Sequence, residues 1–198
     1  MIDDGEHSLT ADWLKIRDKT EAMGFDMPSE TRTAALLTML AASKPGGRFL
    51  ELGTGTGLAT AALLAGMSDD ALLVTVDVDA EVQGVAREQL GHDTRVAFVL
   101  EDGLAYIQAQ PQRSFDLVFA DAMPGKYEGL DDALSLVRDG GMFIGDDMLP
   151  QANWPEGHQH RVDGLVRQLQ ALGGWSTACV AWGSGYVMAV RMSSRCTP

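Results

Sequence analysis

The chain has 198 residues, 45% of them hydrophobic, and a formal net charge of −13 at pH 7. That length suits a single domain with its own core. The acidic balance argues against a long nucleic-acid backbone as substrate, because phosphate binding needs clustered Lys and Arg, but leaves room for a small anionic substrate held by one basic group.

The elements are predicted in chain order as follows. The first residues, Met1–His7, lack the charged and apolar blocks of a secretion signal. No apolar run reaches membrane-spanning length, so a cytoplasmic protein with no membrane partner is expected. Helices are predicted over 8–22, with Thr10 as cap, and over 29–42, with Ser29 as cap. Lys44-Pro45-Gly46-Gly47 breaks the chain before a strand at 48–52. A helix at 58–66, a strand at 72–77, a helix at 80–90 and a strand at 95–100 follow. A short helix at 103–109 ends near Pro111. A strand at 115–120, a helix at 129–137 and a strand at 141–145 complete a parallel core. A helix at 158–172 and strands at 175–182 and 185–192 close the chain, with Gly183-Ser184-Gly185 as a hairpin turn. There is no internal repeat and no linker, so one domain over 1–198 is expected, with helices over 1–42 beside a core over 48–192. Cys179 lies in a strand-like run and is expected in the core; Cys196 lies in a Ser/Thr/Pro tail. The pair has no metal-ligand spacing, which fits a reducing cytoplasm.

The strongest motif is Phe49-Leu-Glu-Leu-Gly-Thr-Gly-Thr-Gly-Leu-Ala-Thr60. A strand enters a loop with Gly53, Gly55 and Gly57 at alternate positions and leaves as a helix. Such a loop can bring bare backbone against a ligand. Its G-x-G-x-G spacing differs from the dinucleotide G-x-G-x-x-G, and no Lys-Ser/Thr follows to make a phosphate loop. Val74-Thr75-Val76-Asp77-Val78-Asp79 ends a second strand in acids, Asp77 coming 24 residues after Gly53. In nucleotide-binding α/β units an acid at about that distance takes ribose hydroxyls. Asp77 suits that role, and Asp79 suits a helix cap. Asp102 follows a third strand. All of these lie just past strand C-termini, where open α/β sheets bind ligands.

With these motifs the chain resembles the class I S-adenosylmethionine-dependent methyltransferases. Glu51-Leu-Gly-Thr-Gly-Thr-Gly57 is similar to their first motif, Val74–Asp79 to their ribose motif, and Glu101-Asp102-Gly103 to the pair beside the adenine. Phe115-Asp-Leu-Val-Phe-Ala-Asp-Ala122 and Gly140-Gly-Met-Phe-Ile-Gly-Asp-Asp147 narrow the likeness to the small O-methyltransferases that include the catechol and caffeoyl-CoA enzymes, in a bacterial-type subgroup. The resemblance runs over about 27–192. It implies a Rossmann-like α/β fold: an open seven-stranded sheet, mostly parallel, with an antiparallel C-terminal hairpin and helices on both faces. It also implies S-adenosylmethionine as cofactor and a small hydroxyl-bearing, phenolic or catechol-like acceptor. Relatives often form homodimers.

The resemblance implies the following site. Glu51 and the backbone of Gly53, Thr54 and Gly55 would meet the amino-acid end of the cofactor, although Glu51 could instead order the loop. Asp77 and Val78 would meet the ribose, Asp102 and Gly103 the adenine, and Ser29 the methionine part. Asp121 would bind cofactor and metal together. Asp121, Asp146 and Asp147 end neighbouring strands, and three converging carboxylates call for a cation. Oxygen-only ligands favour Mg²⁺ or Ca²⁺, with Mn²⁺ as an alternative. Metal-dependent relatives have Asn at the third position, where this chain has Asp147. The other reading is that Asp147 faces water or caps a turn and only Asp121 binds cofactor.

The catalytic base is the weakest part of the pattern. Catechol-type enzymes carry a Lys three residues after the metal-binding Asp, where this chain has Pro124. Lys126 and His158 are the candidates to act beside Asp121, against readings of a solvated Lys and a helix-start His; His160 shares that loop. Trp154, Met123 and Met148 could line an aromatic pocket or pack in the core. Metal-free N- or C-methylation of a small molecule, or a cofactor-binding protein without turnover, stand as alternatives.

Overall fold

The computed structural model describes residues 9–193. Cys196 and Met1–His7 therefore lie outside the described residues. The strands follow the order β3-β2-β1-β4-β5-β7-β6 in a seven-stranded sheet. That is the expected α/β class with an antiparallel C-terminal pair. The chain divides after Gly103 into two compact units, each taken below by itself.

In the first unit, α1 (Ala11–Met23) starts at Thr10, whose Oγ1 accepts from the Trp13 amide at 3.1 Å. The cap satisfies one amide that the first helical turn leaves without a partner. The helix stops at Gly24, whose φ of 69° is left-handed and suits a residue without Cβ. It buries Trp13, Ile16 and Thr20. α2 (Thr31–Ala42) begins two residues later than expected: Glu30 is the cap residue and makes no side-chain cap bond, so Ser29 is not the cap. β1 (Arg48–Leu52), β2 (Leu72–Asp77) and β3 (Val96–Leu100) form a parallel ladder. Its register pairs Glu51 with Thr75 and Asp77 with Leu100. α3 (Leu58–Gly66) is buried along Leu58–Leu64. It packs so closely on α2 that a Cβ on Gly66 would lie 2.0 Å from the Thr38 carbonyl oxygen. α4 (Ala80–Leu90) is capped by Asp79, which accepts from the Glu81 and Val82 amides, as expected.

The second unit opens with α5 (Leu104 onward in Gly103–Ala109). β4 (Phe115–Ala120) is buried on both faces, as a central parallel strand must be. α6 (Met123–Lys126) is a helical turn that the sequence did not signal; Pro124 and Gly125 inside it are non-helical, Gly125 with φ 84°. α7 (Leu130–Leu136) leads into β5 (Val137–Gly145). β5 is longer than expected because its pairing with β4 jumps, from Phe115–Val137 to Leu117–Met142. α8 (His158–Gln170) follows, then β6 (Trp175–Val180) and β7 (Tyr186–Arg191), which pair antiparallel with each other, while β7 pairs antiparallel with β5. Cys179 corrects the sequence reading: it is exposed, because β6 is the edge strand and most of its residues face solvent.

Among the described residues no helix is long and apolar enough to cross a membrane.

Candidate active site

The first unit carries the glycine loop. Gly53, Gly55 and Gly57 have φ of 96°, 53° and 99°, a left-handed region that side chains with Cβ rarely adopt. Gly57 is needed twice over, since a Cβ there would stand 2.6 Å from the Ala86 Cβ. The loop is tied to the end of β2: the Gly55 amide donates to Asp77 Oδ2 at 2.8 Å, and the Asp79 amide donates to Asp77 Oδ1 at 2.9 Å. A carboxylate has about four acceptor positions, so Asp77 keeps capacity for two hydroxyls. Val78 is 68% exposed, and Asp102 is exposed beside half-buried Gly103. Ser29 is half-buried before α2.

Glu51 sits at 0% exposure beneath the loop. Thr60 and Thr75 both donate to its Oε2 at 2.5 Å. Its Oε1 is buried without a partner. Burial pushes the Glu51 carboxyl from 4.5 up to about 8; the two threonine bonds oppose the shift and the charge of Asp77 adds to it. Burial thus favours the protonated form of Glu51. The oxygens continue outward: Thr75 lies 2.7 Å from Thr54, which accepts from Gln83 at 3.0 Å, and Gln83 accepts from Arg87 at 2.9 Å. Either threonine can be the donor of the bond between them.

The second unit carries the acidic and basic groups. Asp121 is half-buried at the end of β4. Lys126, expected either in the site or in water, is 5% exposed. Its Nζ donates to the Asp146 carbonyl oxygen at 3.0 Å and lies 3.9 Å from Asp121 Oδ1. Asp146 is 3% exposed. Its Oδ1 accepts from the Ser184 hydroxyl and from the Asp147 amide. Burial first, then the Asp147 charge, pushes Asp146 up to about 6. Asp147 is held at φ 60°.

Among the described residues no three His, Cys, Asp or Glu side chains gather to hold a metal ion. Asp121 follows β4, Asp146 and Asp147 follow β5, and Asp146 Oδ1 accepts from the Ser184 hydroxyl. A hard ion such as Mg²⁺ takes a shell of oxygens, and here the Lys126 ammonium stands 3.9 Å from Asp121 Oδ1.

His158 begins α8 and is half-buried. Its ring stands 4.6 Å from Trp154 and 5.3 Å, edge-on, from Tyr127. His158 Nε2 lies 3.4 Å from the Tyr127 hydroxyl. Burial, with the charges of Lys126 and Arg161, lowers the His158 pKa, which favours the neutral imidazole. Burial pushes Tyr127 up to about 12, so its phenol keeps its proton, and which of the two groups donates depends on the His158 tautomer. His160 is exposed, Met123 half-buried and Met148 buried. Sequence reasoning missed Tyr127, Ser184, Thr60, Thr75 and Gln83. Ser184 was visible only as a turn residue, and a Thr on a strand signals nothing until its partner is known.

The fold and the glycine loop define a class. A family model described as a methyltransferase domain matches residues 50–148, half of the chain, and the chain belongs to that family. A protein of Mycobacterium ulcerans provisionally named an O-methyltransferase is 30% identical over 145 residues, covering 70% of this chain. A Mycolicibacterium smegmatis protein of similar name is 28% identical over 151 residues, covering 73% of this chain and 71% of its own length. The chain spans 65% of the length of the Mycobacterium ulcerans relative. Among solved structures, the O-methyltransferase TomG of Streptomyces achromogenes, in complex with S-adenosylmethionine, superposes with a TM-score of 0.80 at 21% identity, covering 93% of this chain and 91% of that one. An O-methyltransferase of Bacillus cereus, in complex with S-adenosylhomocysteine, has a TM-score of 0.78 at 22% identity, covering 92% and 91%. At these identities the superpositions show the shared fold: the Rossmann-like fold of the class I methyltransferases.

Proposed function

We propose that the protein is an S-adenosylmethionine-dependent O-methyltransferase acting on a hydroxyl of a small molecule. The observation that carries the reading is the joint between the glycine loop and Asp77. The loop's left-handed glycines offer bare backbone, and Asp77 is fixed by two amides with acceptor capacity to spare. The buried, unpartnered Oε1 of Glu51 lies under the same loop. This donor set fits a ligand with a diol and an amino-acid end. Asp77 with Val78 would hold the ribose, Asp102 and Gly103 the adenine edge, and Glu51, Gly53, Thr54 and Gly55 the amino-acid end, with Ser29 as a further contact.

The cofactor would supply a methyl group on a positively charged sulfur. The chain's task is then to position an acceptor oxygen in line with that methyl and to remove its proton. Positioning is the larger contribution in such a step. His158 is the candidate base, because its neutral imidazole can take a proton at pH 7. In the tautomer that serves this role Nε2–H donates to the Tyr127 oxygen, which orients the ring and leaves Nδ1 to take the proton. Trp154 and Tyr127 offer aromatic faces that suit a phenolic acceptor. No step is assigned to a divalent ion. The acceptor's class, the cytoplasmic location and a homodimer all belong to this proposal.

Calorimetry with S-adenosylmethionine and S-adenosylhomocysteine tests the reading. Both should bind the wild type, and Asp77→Ala should abolish both. Release of the demethylated cofactor with simple phenols and catechols measures turnover. Absence of binding heat for either compound would overturn the proposal.

A further inference from the structure

The acidic cluster of the second unit contains its own cation. Pro124 (ψ 137°) and Gly125 (φ 84°) break the helical turn Met123–Lys126, and the Gly125 amide donates to the Glu128 carbonyl oxygen at 2.7 Å. This turn carries Lys126 inward, where only about a twentieth of it remains exposed. An ammonium taken out of water must be compensated by anions or hydrogen bonds. Lys126 has three donors. One goes to the Asp146 carbonyl oxygen; the charge lies 3.9 Å from Asp121 Oδ1; and the Tyr127 ring centroid is 5.8 Å from Nζ, within the range of a cation–π contact. The Asp146 carboxylate, meanwhile, is turned to Ser184 and the Asp147 amide.

The family resemblance assigns the two strand ends, Asp121 and Asp146–Asp147, to a divalent ion. In this chain one of these acids is paired with an ammonium and another is bonded into the protein. We propose that Lys126 is the resident cation of this cluster, standing in for the divalent ion and excluding it. A tethered ammonium is always present at its site, and a Mg²⁺ or Mn²⁺ ion would have to displace it from Asp121 while leaving a positive charge buried nearby. In the methyl-transfer reading, on which this consequence rests, an acceptor oxygen would meet an ammonium, so the acceptor need not be a chelating diol.

The test uses the full chain and Mn²⁺ alone, followed by the electron paramagnetic resonance of the free ion, with Asp121→Asn as a control for surface carboxylates. Wild type should show no Mn²⁺ binding that depends on Asp121. Lys126→Met, which keeps the stem and removes the charge, should gain a Mn²⁺ site at least about tenfold tighter than wild type, and Lys126→Met/Asp121→Asn should lose it. Lys126→Arg, which keeps the charge, should resemble wild type. Asp121-dependent binding by wild type overturns the proposal, as does a folded Lys126→Met protein that gains no site. Should Lys126→Met fail to fold, the wild-type titration decides alone: Asp121-dependent binding refutes the proposal and its absence supports it. Cofactor calorimetry on the same samples separates the two ideas, because it reads the first unit's loop and is independent of Mn²⁺.

Discussion

Replacing Glu51 by Gln should flatten the dependence of stability on pH. Glu51 is fully buried and its carboxyl is raised from 4.5 to about 8. Between those two values the folded chain keeps a proton that the unfolded chain has lost. The folded state therefore binds more protons, and stability must fall as pH rises. It is fully present below 4.5 and is lost as pH climbs through about 8. Each pH unit in this window is worth at most about 1.4 kcal/mol, so the ceiling is on the order of 5 kcal/mol. That is comparable with the whole stability of many domains, about 5–15 kcal/mol. Water entering the site would reduce it, and a loss of at least roughly 1.4 kcal/mol, one pH unit's worth, is expected. Gln has nearly the same shape as the protonated acid. Its amide oxygen can accept from Thr60 and Thr75, as Oε2 does, and it carries no charge to desolvate. Urea unfolding of both proteins, followed by tryptophan fluorescence across this pH window, measures the effect. Asp146 is also raised and slopes the same way, so the difference between the two proteins is the quantity to read. The stability of Glu51→Gln relative to wild type should grow with pH. Parallel curves would show that Glu51 is ionised in the folded protein and would refute the reasoning.

Three further outcomes are expected. Asp77→Asn should weaken S-adenosylmethionine and S-adenosylhomocysteine equally, by roughly 10- to 100-fold in calorimetry, because bonds to a charged acceptor are worth about 1.5–3 kcal/mol each. Gly57→Ala must place a Cβ 2.6 Å from Ala86 at a φ of 99°; overpacking alone costs about 1–3 kcal/mol, so Tm should fall by roughly 2–12 °C in a calorimetric scan. His158→Ala should lower turnover by about 10²–10⁴-fold with cofactor binding unchanged. The wild-type rate should be full above the His158 pKa and be lost as pH falls through it, on the acid side of 6.5, because that pKa is lowered.

The order of strands and helices, the glycine loop and the acids at the strand ends were legible in the sequence. All of these are local signals: a two-residue or 3.6-residue repeat, a break at Lys44–Gly47, alternate glycines. Thr10 and Asp79 act as caps because capping reaches only two or three residues along the chain. Ser29 failed as a cap for the same kind of reason, since a shift of two residues moves the helix start past it.

What the tertiary structure decided depends on contacts between residues far apart in sequence. Thr75 meets Glu51 across 24 positions, and this partnership in a sealed space sets the acid's protonation. Ser184 meets Asp146 across 38 positions and turns its carboxylate aside. Lys126 reaches Asp146 across 20 positions and is buried there. Residue types alone could place three acids and a lysine near the strand ends. Only packing could direct them, because a charge in a protein interior takes its state from the groups that replace its water.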